Sequence, residues 1–211
     1  MAINGYKKIE ARVERIKEWF RLHGFEIEVP FPRSENGFQI EIPFPGIKSQ
    51  FQSFNAQYAL RQENGWELFY RPSSREVSYF EFLAEVGQKF HWTTRIGVRK
   101  SINWTWTQSG YWFWAQICPA APVFGKCEDV VPARCQENQR PPSIEEYLLM
   151  YHLHRCDTGR KLDHNPAVWL TTKLRGHALS ALGDCGGINV GIADNFTPNP
   201  GCGLRLVKVI G

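Results

Sequence analysis

The first 117 residues contain no cysteine, and nowhere does the chain carry an apolar run near the roughly 18 residues that a membrane-crossing helix requires. A glycine-every-third period and polar low-complexity tracts are missing too, which excludes collagen-like and compositionally disordered classes. Charge of one sign never gathers: 25 Lys and Arg stand against 21 Asp and Glu, spread along the chain for a formal net charge of +4. No basic stripe points to nucleic acid. The opening residues turn charged at Lys7 and lack the apolar core of a signal peptide, so export by that route is not expected. The expected setting is the cytoplasm or a virus particle, with the cysteines mostly reduced. What is present is a globular composition: 211 residues at 43% hydrophobic and 14% aromatic, enough for one large domain or two small ones.

All six cysteines lie at or after Cys118, and five of the eight tryptophans crowd between Trp92 and Trp114. That shift in character sets an expected boundary near residue 90, giving an N-terminal unit over 1–91 and a second domain over 92–211. In the first unit Tyr6, Ile9, Val13, Ile16 and Phe20 recur at helical spacing with charged residues on the other faces, and Gly24 stands where a helix would stop. The helix packs on a sheet or, read more sharply, joins copies of the chain as a short coiled coil. Next, GFEIEVPFP at residues 24 to 32 recurs as GFQIEIPFP at residues 37 to 45. Each unit alternates in period two, and RSEN between them supplies turn residues, so a hairpin is expected, ended by Pro30 and Pro43. A helix-sized stretch follows around Phe51 to Arg61, then a strand from Trp66 to Tyr70. Ser78 and Glu81 are placed to cap a further helix running to about Phe90.

The second domain opens on INWTWTQSGYWFWAQ, residues 102 to 116, expected to form a hairpin turning at Gln108 to Gly110 with Trp104 and Trp106 on one strand and Trp112 and Trp114 on the other. Clustered rings of this kind form core or, less commonly, a stacking platform for sugars or bases. His152-x-His154-x-Cys156, with Cys127 and Cys135, invites a zinc reading. On a continuous helix, however, His154 points about 200° away from its neighbours, and Cys156 reads better as a small buried apolar residue. Cys185 with His164 or His177 and Asp184 has no local nucleophile signature, and the glycine-rich stretch from Gly183 to Gly191 has neither phosphate-loop nor dinucleotide spacing. That stretch is expected to be an irregular loop.

Three pieces carry a family resemblance. Arg140-Pro141-Pro142-Ser143 followed by Glu146 places a full capping box at the start of a helix. It resembles the pattern that opens the central helix of the formylglycine-generating (sulfatase-modifying factor) family. Ala167 to Thr172 is similar to that family's strand with a Trp, and Gly203-Leu204-Arg205-Leu206-Val207-Lys208 to its closing Gly-Phe-Arg strand. The resemblance covers about residues 95 to 211 and implies a C-type-lectin-like domain there; with the small helix-plus-hairpin unit read from the residues before it, the expected chain is α+β. Pro141 stands where the family has Leu, and Leu204 where it has Phe. Oxidation of a substrate cysteine needs a close pair of thiols before the closing strand. Here only Cys185 occupies that place, and Cys202 follows seventeen residues later. One thiolate does not make the two-sulfur site that holds soft Cu(I). Neither calcium nor any other cofactor is expected, since Asp184, Asn189, Asp194, Asn195 and Asn199 read as turn formers.

By that resemblance the chain is expected to be a non-catalytic recognition or assembly protein for a protein or glycan ligand, of the kind that forms heads on phage tails. The N-terminal unit would dock it to a partner. The expected ligand surface comprises Trp169, Arg175, His177, Asp184, Asn189, Asp194 and Asn195, from one strand and the loops after it. The rivals are a divergent thiol oxidase or an unrecognised hydrolase, and a purely structural subunit of a particle.

Overall fold

The computed structural model describes residues 2–32, 65–78, 93–94, 105–118, 123–124, 139–163, 167–175, 177–183, 187–192 and 202–210. Among them are two helices, α1 (Ala2–Leu22) and α2 (Ile144–Thr158). The longer strands are β1 (Trp66–Arg71), β3 (Tyr111–Gln116), β6 (Ala167–Leu174), β7 (His177–Gly183) and β8 (Ile188–Ile192). Shorter ones are β2 (Thr93–Thr94), β4 (Val123–Phe124), β5 (Gln139–Arg140), β9 (Cys202–Leu204) and β10 (Val207–Val209). They form a four-stranded sheet, β1-β3-β10-β5, and a six-stranded sheet, β2-β8-β7-β6-β9-β4. The chain is therefore α+β. No helix among the described residues is long and apolar enough to cross a membrane.

α1 follows its sequence pattern. Ile9, Val13, Ile16 and Phe20 are all buried, joined by Trp19, while the charged positions between them mostly face out. The helix ends in a Schellman motif: Phe25 N–H bonds to the Phe20 carbonyl, Gly24 N–H to that of Arg21, and Gly24 sits at φ +83°. α1 reaches the edge strand β1 directly, because Arg12 Nε donates to the Leu68 carbonyl at 2.8 Å and its guanidinium lies over the Phe69 ring. Covering an edge in this way removes a site for intermolecular pairing.

Two strand expectations change. Of the expected partner strand, residues 105 to 107 are described, and β3 does not pair with them. Its partner is β1, in register from Trp66↔Gln116 to Arg71↔Tyr111, with β10 on its other side. Residues 105 to 107 belong to no strand, Trp106 is exposed, and Trp104 lies outside the described residues. The real cross-strand pairs are Phe69 with Phe113, stacked at 5.7 Å, and Tyr70 with Trp112 at 5.2 Å. The β1–β3 pairing thus links residues on either side of position 91, and one hydrophobic cluster joins Ile9 and Phe69 to Leu148 and Val190. The second change concerns residues 25 to 32. Phe25, Ile27 and Val29 do turn inward and Glu26 and Glu28 outward, yet the segment enters no ladder. It packs beside the four-stranded sheet, with Trp112 Nε1 donating to the Pro30 carbonyl at 2.9 Å. The second repeat unit and the helices expected near 51–61 and 79–90 lie outside the described residues.

α2 touches both β1 and β6, so it lies between the two sheets. Every residue from Ile144 to His154 is buried, glutamates and histidines included. Cys156, expected to be buried, is exposed near the helix end. The glycine-rich stretch is more regular than expected, since Gly183 closes β7 and residues 188 to 192 are β8, paired antiparallel with β7. Gly183 sits where a Cβ would meet the Leu162 carbonyl and come within 2.7 Å of the Tyr151 ring. A G183A variant is therefore expected to lose about 1–3 kcal/mol by overpacking, measured by urea denaturation.

The expected final strand is split. β9 pairs with β6 and β4 in one sheet, and two residues later β10 pairs with β3 and β5 in the other. Arg205 occupies this crossing, fully buried.

Candidate functional site

Buried charge concentrates at the amino end of α2. Ser143 closes a complete capping box with Glu146: the Ser143 side chain accepts from the Glu146 N–H, and Glu146 Oε2 accepts from the Ser143 N–H at 2.7 Å. The same carboxylate receives the Arg140 fork at 2.6 and 2.7 Å and the Tyr111 hydroxyl at 2.8 Å. Burial, reinforced by the Glu146 charge, pushes the Tyr111 hydroxyl far above its ordinary pKa. For Arg140 burial works against the charge, and the hydrogen bonds to Glu146 outweigh it, leaving the guanidinium more basic than usual.

Glu145 faces elsewhere. Its Oε1 accepts from the Thr105 N–H at 2.6 Å and lies 3.6 Å from Arg71 Nη2, with both side chains fully buried. Arg71, at the end of β1, donates to the Thr105 carbonyl at 2.6 Å and to Thr107 Oγ1 at 2.5 Å. Thr107 is held from a second direction by Ser74, whose Oγ accepts the Thr107 N–H at 3.1 Å and whose own N–H bonds to the Thr107 carbonyl at 3.0 Å. Ser74 itself sits in a short turn in which Ser73 and Glu76 exchange the hydrogen bonds of a miniature capping box. Thr105 and Thr107 are therefore clamped on both sides of Trp106. That indole is 66% exposed, whereas Trp112 and Trp114 a few residues on are buried.

A free loop would not hold a tryptophan in water at a fixed angle. Here the backbone beneath it is tied by charge-assisted bonds whose donors and acceptors lie in the core. The arrangement fixes the backbone on either side of an exposed indole. The sequence pattern sets Trp106 in a hairpin and does not mark Arg71, Glu145 or Thr105 as its supports. A signal was present: Arg71-Pro72-Ser73 with Glu76 repeats, in shorter form, the Arg-Pro-Pro-Ser and Glu pattern at 140–146.

The residues expected to form the ligand surface separate. Trp169 is 2% exposed and packs on Ala167 and Ala178, so it is not a surface group. Arg175 and His177 are exposed at the turn between β6 and β7, where Arg175 takes φ +49°. Asn189 is exposed on β8 opposite Leu182, not in a loop. Five positions of β7 separate Leu182 from His177, about 16 Å of strand, so Asn189 and His177 lie toward opposite ends. Asp184, Asp194 and Asn195 lie outside the described residues. His152 and His154 are buried and Cys156 exposed, and no group of three potential metal ligands occurs among the described residues.

Comparison with protein-family models, with curated proteins and with solved structures finds no match for this chain.

Proposed function

We propose that the chain is a non-catalytic recognition protein with a lectin-like head, in which Trp106 is the principal contact for a protein or glycan ligand. The observation that carries this reading is the exposed indole on a clamped backbone. Tryptophan is enriched among the residues that dominate binding, and a rigid display lowers the ordering cost on association. Its neighbours Thr105, Gln108 and Ser109 are also exposed, a mix of aromatic and small polar groups suited to adaptable contacts. The resemblance to the formylglycine-generating family supports the same class of function, as does the lack of a close thiol pair in the sequence.

The test is glycan-array and peptide-array binding with the full chain, followed by W106A. A ligand recognised here is expected to lose about 30-fold in affinity in W106A, corresponding to about 2 kcal/mol for a central anchor. The exposed position implies an unchanged melting temperature. Ligands retained at full strength by W106A would overturn the assignment of the contact. Loss of a measurable turnover in a folded C185S/C202S variant would instead favour the enzyme reading.

A further inference from the structure

The carboxyl end of α1 and the segment that follows it enclose an open groove of about 640 Å³. Phe25 and Ile27 line it, both partly buried against the core. Two acid–base pairs on α1, Glu14 with Lys17 and Glu18 with Arg21, each at 2.8 Å, neutralise themselves along one wall. Glu26 and Glu28 form the other wall, exposed and without an ion-pair partner among the described residues. The groove is therefore locally acidic in a chain whose net charge is +4.

The backbone of this wall is also unused. Residues 26 to 29 alternate as a strand does, but none of their N–H or carbonyl groups makes a hydrogen bond among the described residues. Pro30, which cannot donate, ends the run. A strand-like edge whose donors and acceptors have no partner among the described residues, with apolar groups on one face and carboxylates on the other, has the features used when an extended peptide adds to a sheet edge.

We propose that residues 26 to 29 bind an extended cationic segment of a partner protein by strand addition. Lys or Arg at alternate positions would lie beside Glu26 and Glu28, with small apolar residues between them over Phe25 and Ile27. Charge selects this occupant. A second copy of the chain, pairing through the same unit, would set glutamate against glutamate, which is destabilising across a strand pair. This surface is separate from Trp106, so the inference does not rest on the recognition reading above.

The probe is a fluorescein-labelled peptide of alternating Lys and Val, titrated into the full chain and followed by anisotropy. Saturable binding is expected, weakened at least tenfold in E26Q/E28Q and by raised salt, absent for an alternating Glu-Val peptide, and unchanged in W106A. A Lys-Val peptide N-methylated at alternate residues, which removes its donors, should also fail to bind. Equal binding of the N-methylated peptide would overturn strand addition, and equal binding by a folded E26Q/E28Q chain would overturn the role of the carboxylates. No binding by the wild-type chain at millimolar peptide would overturn the proposal. A dimer by sedimentation that E26Q/E28Q strengthens would assign the groove to a second copy and overturn it too.

Discussion

Replacing Asp163 by Asn should destabilise the chain by about 3–5 kcal/mol, the loss typical when one partner of a buried ion pair is removed. Asp163 and Arg205 are both fully buried, and the carboxylate takes Arg205 Nε at 3.0 Å and Nη2 at 2.7 Å. The rest of the guanidinium is satisfied by the Gln116 carbonyl and, at 2.7 Å, by that of Cys118. Neutralising Asp163 therefore strands a cation in the core with one charged partner gone. Asn is the informative replacement because Asp163 adopts φ +52°, which Asn tolerates, so backbone strain does not confuse the result. Against a total stability of roughly 5–15 kcal/mol for a domain, this loss is large.

The effect should also be structural in a specific sense. Arg205 stands between β9 in the six-stranded sheet and β10 in the four-stranded one, and its carbonyl partners lie on the last residue of β3 and just beyond it. One side chain thus ties the crossing strand, the end of β3 and the loop after α2 into a single joint. Urea denaturation with a hydrogen-exchange readout should show β10 and β9 losing protection together in D163N. A stability change below about 1 kcal/mol would mean that the pair is not the joint described here.

Local chemistry was legible in the sequence; pairing was not. The α1 periodicity, the Gly24 stop, the Ser143 and Glu146 box and the strand at Trp66 all depend on residues within a few positions of one another, and each stands as expected. Alternation alone cannot say which strand is opposite. Trp104 and Trp106 repeat the spacing of Trp112 and Trp114, so a hairpin looked self-contained, whereas the partner of β3 is β1 from the first half of the chain. The same limit explains Phe25 to Val29, whose alternation sets the inward and outward faces although the segment enters no ladder among the described residues. Gly203 to Lys208 looked like one strand because nothing in its composition marks the change of sheet at Arg205. The site failed for a related reason: Thr105 becomes special only through Arg71 and Glu145, which are distant in the chain and adjacent only after folding.

Acidification from pH 6.5 to pH 5 should cost about 2 kcal/mol through His152 alone, before most carboxylates have begun to titrate. His152 is 1% exposed on a helix buried on all sides, with the Tyr151 ring edge-on at 5.4 Å. Burial, followed by the neighbouring charges of His23 on the α1 side and Arg155 on α2, pushes its pKa down to about 3. In the unfolded chain the imidazole returns to about 6.5. Between these values the unfolded state holds a proton that the folded state does not. Stability is therefore complete above about pH 6.5 and falls as pH drops, by about 1.4 kcal/mol per unit, until the folded-state value is reached. Below pH 5 the loss continues toward a total on the order of 5 kcal/mol at the folded-state value. The discriminating variant is H152F, which keeps a buried ring of similar breadth and cannot titrate. Its stability, measured by urea denaturation at half-unit steps, should be nearly flat from pH 6.5 to 5, while the wild-type curve falls by close to one proton's worth. An equal slope in both proteins would assign the acid sensitivity to another group, and an imidazole resonance of His152 that titrates near pH 6 in the folded chain would show that the ring is not held neutral by the packing of α2.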